Sequence, residues 1–138
     1  MKFLNKNYFE KWHDVAHVVL RLAVGSAFFM HGYQKLTMMG VAGVSGFLSQ
    51  LGFPLPELFA VLLIAGEILG GAALILGFWT HWAGKVTAFI ALVALFTVHL
   101  SKGFFLPGYE YIMVLFAGSF SLMVNGAGKY SLDAKMKK

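Results

Sequence analysis

Long apolar runs separated by short polar breaks organise the whole chain. The first run extends from about Val15 to Leu36, is interrupted by Arg21, and closes on the polar stretch "MHGYQKL". Further runs cover Leu58 to Trp79, Trp82 to Leu100 and Tyr109 to Asn125, the last being the shortest. A helix needs roughly 20 residues to cross a hydrocarbon core about 30 Å thick. The pattern therefore predicts an all-α integral membrane four-helix bundle in a single domain, with spans at 15–36, 58–79, 82–100 and 109–125. Ahead of the first span, Phe3, Leu4, Tyr8 and Trp12 recur beside Lys2, Lys6 and Lys11, which suits an interfacial arm over residues 1–14. Between the first two spans, Val41, Val44, Phe47, Leu48 and Leu51 share one helical face. That segment is too short to span and reads as an outer-face interfacial or re-entrant helix, stopped by Pro54 and Pro56.

Composition agrees with a membrane chain: 59% of the 138 residues are hydrophobic and 12% charged, with a mean hydropathy of +0.74. The net charge of +5 then signals topology rather than nucleic-acid binding. Lysines gather on the N-terminal arm and on the basic tail over residues 126–138, and Lys85 lies in the turn after the second span. By the positive-inside rule this predicts an N-in, C-in chain, multi-pass in the cytoplasmic membrane. No short apolar core with a small-residue cleavage site follows Met1, so the mature chain is expected to start there. The absence of cysteine excludes thiol–disulfide relays, thiolate zinc sites and cysteine-held iron–sulfur clusters. Phosphate-cradling loops and nucleophile elbows are also missing.

Ionisable residues remain within or beside the spans: Arg21, His31, Lys35, Glu67, Lys85, His99 and Glu110. Charge in a bilayer is costly, so each marks a candidate site. At about 100° per residue, Arg21, Gly25, Phe28, Gly32 and Lys35 fall on one stripe with His31 at its flank. Glu67 shares a face with Gly70 and Gly71, and the later spans align Lys85 with His99 and Glu110 with Ser121. Polar and small residues thus coincide, as expected where helices approach closely and polar groups avoid lipid. At about 1.5 Å per residue, Glu67 falls near the bilayer centre, His31 about 8 Å outward and His99 and Glu110 about 10 to 12 Å outward. Arg21 falls about 8 Å inward.

The ordered motifs "HGYQKL", "GEILGGAALILGFWT", "FTVHLSKGFF", "GYEY" and "NGAGKYSLD" resemble the DoxX family of small four-helix bacterial and archaeal membrane proteins, over Leu20 to Asp133. The resemblance implies a membrane subunit linked to redox chemistry of the thiosulfate:quinone oxidoreductase kind, or a partner of soluble redox or detoxifying proteins. It carries over to His31, Gly32, Lys35, Glu67, Gly70, Gly71, His99, Gly108, Tyr109, Glu110, Tyr111, Gly126, Gly128, Ser131 and Asp133. In the tail, Gly126 and Gly128 are expected to stop the helix with positive φ.

A quinone takes up two electrons and two protons, so its carbonyls need donors that can be reprotonated. On this reading a ubiquinone or menaquinone is the expected cofactor, with no covalent group and no metal. His31, Glu67, His99 and Glu110 are the candidate catalytic residues. Arg21, Lys35, Phe28, Phe96, Tyr109 and Tyr111 are the candidates for holding the quinone, and Gly32, Gly70, Gly71, Gly126 and Gly128 for shaping the backbone. Buried near the midplane, Glu67 calls for a cationic partner or a proton, and could then relay one. The expected partners are the bilayer, a protein of a redox complex and a second copy of the chain, with no nucleic acid. Two other classes stay open: a weak-acid carrier using the same stripe, and a structural scaffold. His13 and His17 have i,i+4 metal spacing, but the Glu-x-x-His pairing of di-iron bundles is missing.

Overall fold

The computed structural model describes residues 6–137. Residues 1–5 and 138, and the side chains of Lys6, Tyr8 and Lys11 on which part of the arm reading rests, lie outside the described residues. Helix α1 covers Lys6–Gln34, and a π turn over Lys35–Met39 leads into α2, Gly40–Gln50. Helices α3 (Pro56–Leu76), α4 (Thr80–Ala94), α5 (Glu110–Asn125) and α6 (Leu132–Met136) follow. A second π turn, Leu95–His99, and a 3₁₀ turn, Leu100–Lys102, prolong α4. The described residues contain no strand. Among the described residues, three stretches are long and apolar enough to cross a membrane: Trp12–Gln50, Pro56–Leu76 and Thr80–Lys102. The fourth expected span is present as a shorter apolar helix, Glu110–Asn125.

The first span differs from its expected limits. Helix α1 is continuous from Lys6, so the described part of the arm belongs to the same helix as the span. No proline interrupts this stretch, and its glycines sit inside a helix contact. The break comes instead at Gly40, whose φ of 65° and ψ of 174° only glycine adopts readily. Beyond it, α2 does not lie apart from the bundle: Val44, Ser45 and Leu48 are buried, and the two aliphatics pack on Ala60 and Ile64 of α3.

Helix α3 begins with Pro56 in its first turn and ends at Gly77 in the left-handed conformation, φ 65°. Close backbone approach then assembles the bundle. A Cβ on Gly71 would lie 2.6 Å from Gly25 O in α1, and one on Gly32 would lie 2.8 Å from Glu67 Cβ. Gly70 faces Thr87 of α4, and Gly84 of α4 faces the α5 backbone at Met123. The central core joins Val24, Phe28, Leu74, Ala83, Ala91, Ile112, Leu115 and Leu122 from all four long helices. Contact between α1 and α5 closes the ring.

Candidate functional site

The charged candidate residues divide between two ends of the bundle. At the end where α1 passes into α2, Lys35 Nζ donates to both Glu67 oxygens at 2.7 and 2.8 Å. Glu67 is 6% exposed and Lys35 27%. The gap that lets the lysine reach comes from Gly32, one turn earlier, which brings α1 against the Glu67 backbone. Lys35 also opens the π turn, a widened helical turn often found at functional sites.

His31 lies one turn before Lys35 and is exposed. Its Nε2 stands 3.5 Å from the Tyr111 hydroxyl of α5, at the limit of hydrogen-bond reach, with ring centroids 5.9 Å apart. Between α1 and α5 runs an open groove of about 310 Å³ lined by Ser26, Ala27, Met30, His31, Gln34 and Tyr111. Ser26 Oγ donates to Leu22 O within the helix. Lys35 and His99 are both near enough to act on the charge of His31. His99 Nδ1 donates to Gly108 O at 3.2 Å and Pro107 O at 3.3 Å. Because carbonyls only accept, that nitrogen carries a proton. Glu110 Oε1 accepts from the Leu106 amide at 3.0 Å, across the loop that precedes α5.

The expected cluster is thus gathered around His31, Lys35, Glu67, Tyr111 and His99, while other candidates fall elsewhere. Phe28 is 2% exposed in the central core. Phe96 is an outward-facing residue, 64% exposed. Tyr109 packs edge-on against Phe104. Gln34, the amide of the polar stretch "MHGYQKL", lines the groove. Ser26, which also lines it, escaped the sequence reading because an isolated hydroxyl carries no spacing signal.

Arg21 lies at the opposite end, under the C-terminal tail. It is 3% exposed and Nη2 donates to Tyr130 O at 2.6 Å. Its Nε and Nη1 have no partner among the described residues. Asp133 offsets its charge and accepts from the amides of Trp79 at 2.7 Å and Thr80 at 2.9 Å. Asp133 N donates to Gly77 O at 2.9 Å, and Lys129 N to Asp14 Oδ1 at 2.9 Å. Gly126 and Gly128 do take positive φ, 78° and 74°. Burial alone would raise the Asp133 pKa, but the Thr80 and Trp79 amides and the nearby His81 hold it below the ordinary carboxylate range. These contacts form a clasp tying the tail to α1 and to the α3–α4 turn. Near it, His13 and His17 rings lie 4.4 Å apart, and His17 Nδ1 donates to His13 O at 2.9 Å. Among the described residues, no three histidine or carboxylate side chains are grouped to hold a metal ion.

Fold and polar arrangement together define a small helical membrane protein with a polar centre between its helices. It belongs to the DoxX family, whose model matches residues 16–100. It is similar to "Putative oxidoreductase CatD" of Bacillus subtilis (strain 168), 29% identical over 130 residues, 94% of this chain and 90% of that protein. It is 31% identical over 134 residues to the inner membrane protein YqjF of Escherichia coli (strain K12), covering 94% of this chain and 98% of that protein. A third relative, the inner membrane protein YphA of Escherichia coli (strain K12), is 33% identical over 64 residues, 46% of this chain and 44% of that protein. No solved structure matches the chain.

Proposed function

We propose that the protein is a quinone-binding subunit of a membrane redox complex, with the headgroup site in the groove between α1 and α5. The observation that carries this reading is the Lys35–Glu67 pair, held at the bundle interior one helical turn from a groove that opens sideways. A groove facing lipid admits an isoprenoid molecule directly from the bilayer. Its lining is mostly apolar, and the few polar groups on it suit carbonyl oxygens: His31, Tyr111 and Gln34 supply ring nitrogen, hydroxyl and amide. A bound quinone would contribute acceptance of two electrons and two protons. The chain's own part is to orient the ring and deliver protons. His31 holds or gives up a proton at Nε2 toward the groove, and Lys35 with Glu67 stores one behind it. Phe28 and Val24 seal the core beneath and keep water from entering across the bundle.

A similar protein named as an oxidoreductase supports the redox class. We place the clasp end in the cytoplasm, because Lys85, Lys129, Lys135 and Lys137 gather there, while at the other end Lys35 is paired with Glu67 and Lys102 stands exposed. Lys102 then offers a contact for an anionic face of a partner protein. The carrier reading needs a polar path through both ends, and the Arg21 guanidinium is packed under Gly77 and Tyr130 instead.

The test is lipid extraction and mass analysis of purified protein, comparing wild type with His31→Ala and Glu67→Gln at matched folding. Quinone should co-purify with wild type and fall at least severalfold in both variants. Folded wild type without quinone ends the proposal, and variants that only lower assembly point to a scaffold.

A further inference from the structure

The loop 103–109, between the second π turn and α5, has an unusual combination of features. Its tip is apolar and outward-facing: Phe104 is 45% exposed, Phe105 78% and Leu106 67%. Its backbone is nevertheless extensively paired. Gly108 N donates to Phe105 O, Tyr109 N to Gly103 O and Glu110 N to Phe104 O, at 2.6, 2.9 and 3.0 Å. Side chains add to this: Glu110 accepts from Leu106 N, His99 donates to the carbonyls of Pro107 and Gly108, and Pro107 has no N–H, while the Phe104 and Phe105 amides and the Leu106 carbonyl have no partner among the described residues. Gly108 is packed so tightly against the Gly103 and Phe105 carbonyls that no side chain fits there.

Helix α5 also stops short. Its 16 residues span about 24 Å, against a hydrocarbon core of about 30 Å. Tyr111 in its first turn meets His31 of α1, and from that point the α1–α2 segment runs on to Gln50. The α5 column is therefore unfinished by about 6 Å at the site end.

We infer that loop 103–109 completes the fourth crossing as a non-helical cap at the headgroup–acyl boundary, with the Phe105 and Leu106 side chains dipping into the acyl chains of the leaflet at the site end. Backbone outside a helix does not lie exposed in the hydrocarbon core, so the unpaired Phe104 and Phe105 amides and Leu106 carbonyl keep the loop's backbone at the headgroup boundary while its apolar side chains reach inward. Lys102, exposed and just ahead of Gly103, marks the rim of this leaflet. His99 and Glu110 act here as positioning residues, stapling the loop rather than touching a substrate.

The chain has no cysteine, so single-cysteine variants take one spin label each. Labels at Phe105→Cys and Leu106→Cys, in the full chain in liposomes, are compared with Val114→Cys on the lipid face of α5 and Lys102→Cys at the rim. Collision with oxygen should exceed collision with a water-soluble nickel chelate at 105 and 106, as at 114, and the ratio should reverse at 102. Chelate-dominated collisions at 105 and 106 overturn the inference by placing the loop in water. Labels shielded from both agents overturn it too, showing a second copy or a partner protein over the tip. Glu110→Ala should shift label 105 toward the chelate, while Glu110→Gln, which keeps an acceptor for the Leu106 amide, should not. A Glu110→Ala protein with unchanged collision ratios refutes the stapling role.

Discussion

Lys35 and Glu67 show how a single pair of side chains can be both a cost and a device. A carboxylate among helices is tolerated only with a partner, and the ammonium supplies both oxygens with a hydrogen bond. Removing one partner strands the other. Lys35→Met is therefore expected to destabilise by about 2 kcal/mol, less than for a fully buried pair because Lys35 still reaches solvent. Adding Glu67→Gln to Lys35→Met should recover part of that loss, since the stranded charge is gone. Thermal unfolding of the two single variants and the double variant in detergent checks this, and strictly additive losses would show the pair uncoupled. The pairing is only partly legible in the sequence. Spacing gives both residues a bundle-facing position, but Arg21 and the histidines compete as partners for Glu67 until the helix register is known.

At the scale of elements, glycine decides which helices touch. A methyl at Gly71 would run into the α1 backbone at Gly25 O and Phe29, atoms that cannot rotate away. Gly71→Ala should therefore push α1 from α3, costing about 2 kcal/mol and loosening the Lys35–Glu67 contact. Gly46 offers the opposite case: it lies in α2, and a methyl added there would meet nothing within 4 Å. Gly46→Ala should be neutral or stabilise by up to about 1 kcal/mol through helix propensity. Unfolding midpoints of the two variants, read side by side, check the contrast. Sequence alone flags "GG" at 70–71 as a packing face, yet it does not tell that Gly71 serves α1 while Gly70 serves α4. Nor does it separate either from the open glycines of α2, because composition carries no partner.

For the molecule as a whole, the clasp joins the tail to the rest. Asp133 caps the start of α4 while its own amide bonds Gly77 O, so the C-terminal segment holds the α3–α4 turn from outside. Its carboxyl is held below the ordinary pKa, so the folded state prefers the charged form. That contribution is complete above the unfolded value of about 3.9, and it disappears as pH falls through the lower folded value. Asp133→Asn should then be less stable than wild type at neutral pH. The gap should close on acidification below about pH 4. Stability measured from pH 7 down to 3 tests this, and a gap independent of pH would mean that the carboxylate charge has no part in the clasp.

The run lengths and the placement of Pro, Gly and charge were enough to determine the helical class, the membrane setting and the ends of most long helices, because burial in lipid imposes a period and a length that any chain must meet. They also set which residues are candidates for chemistry. Tertiary structure decided how those candidates divide. Arg21 shares its stripe with Lys35, but 14 residues of helix, about 21 Å, separate them, and the tail folds over one while Glu67 takes the other. His99 and Glu110 reach the site end, yet their hydrogen bonds are to the loop before α5. A helical stripe fixes direction and depth; the partner at each depth depends on how neighbouring helices cross and where a distant tail returns.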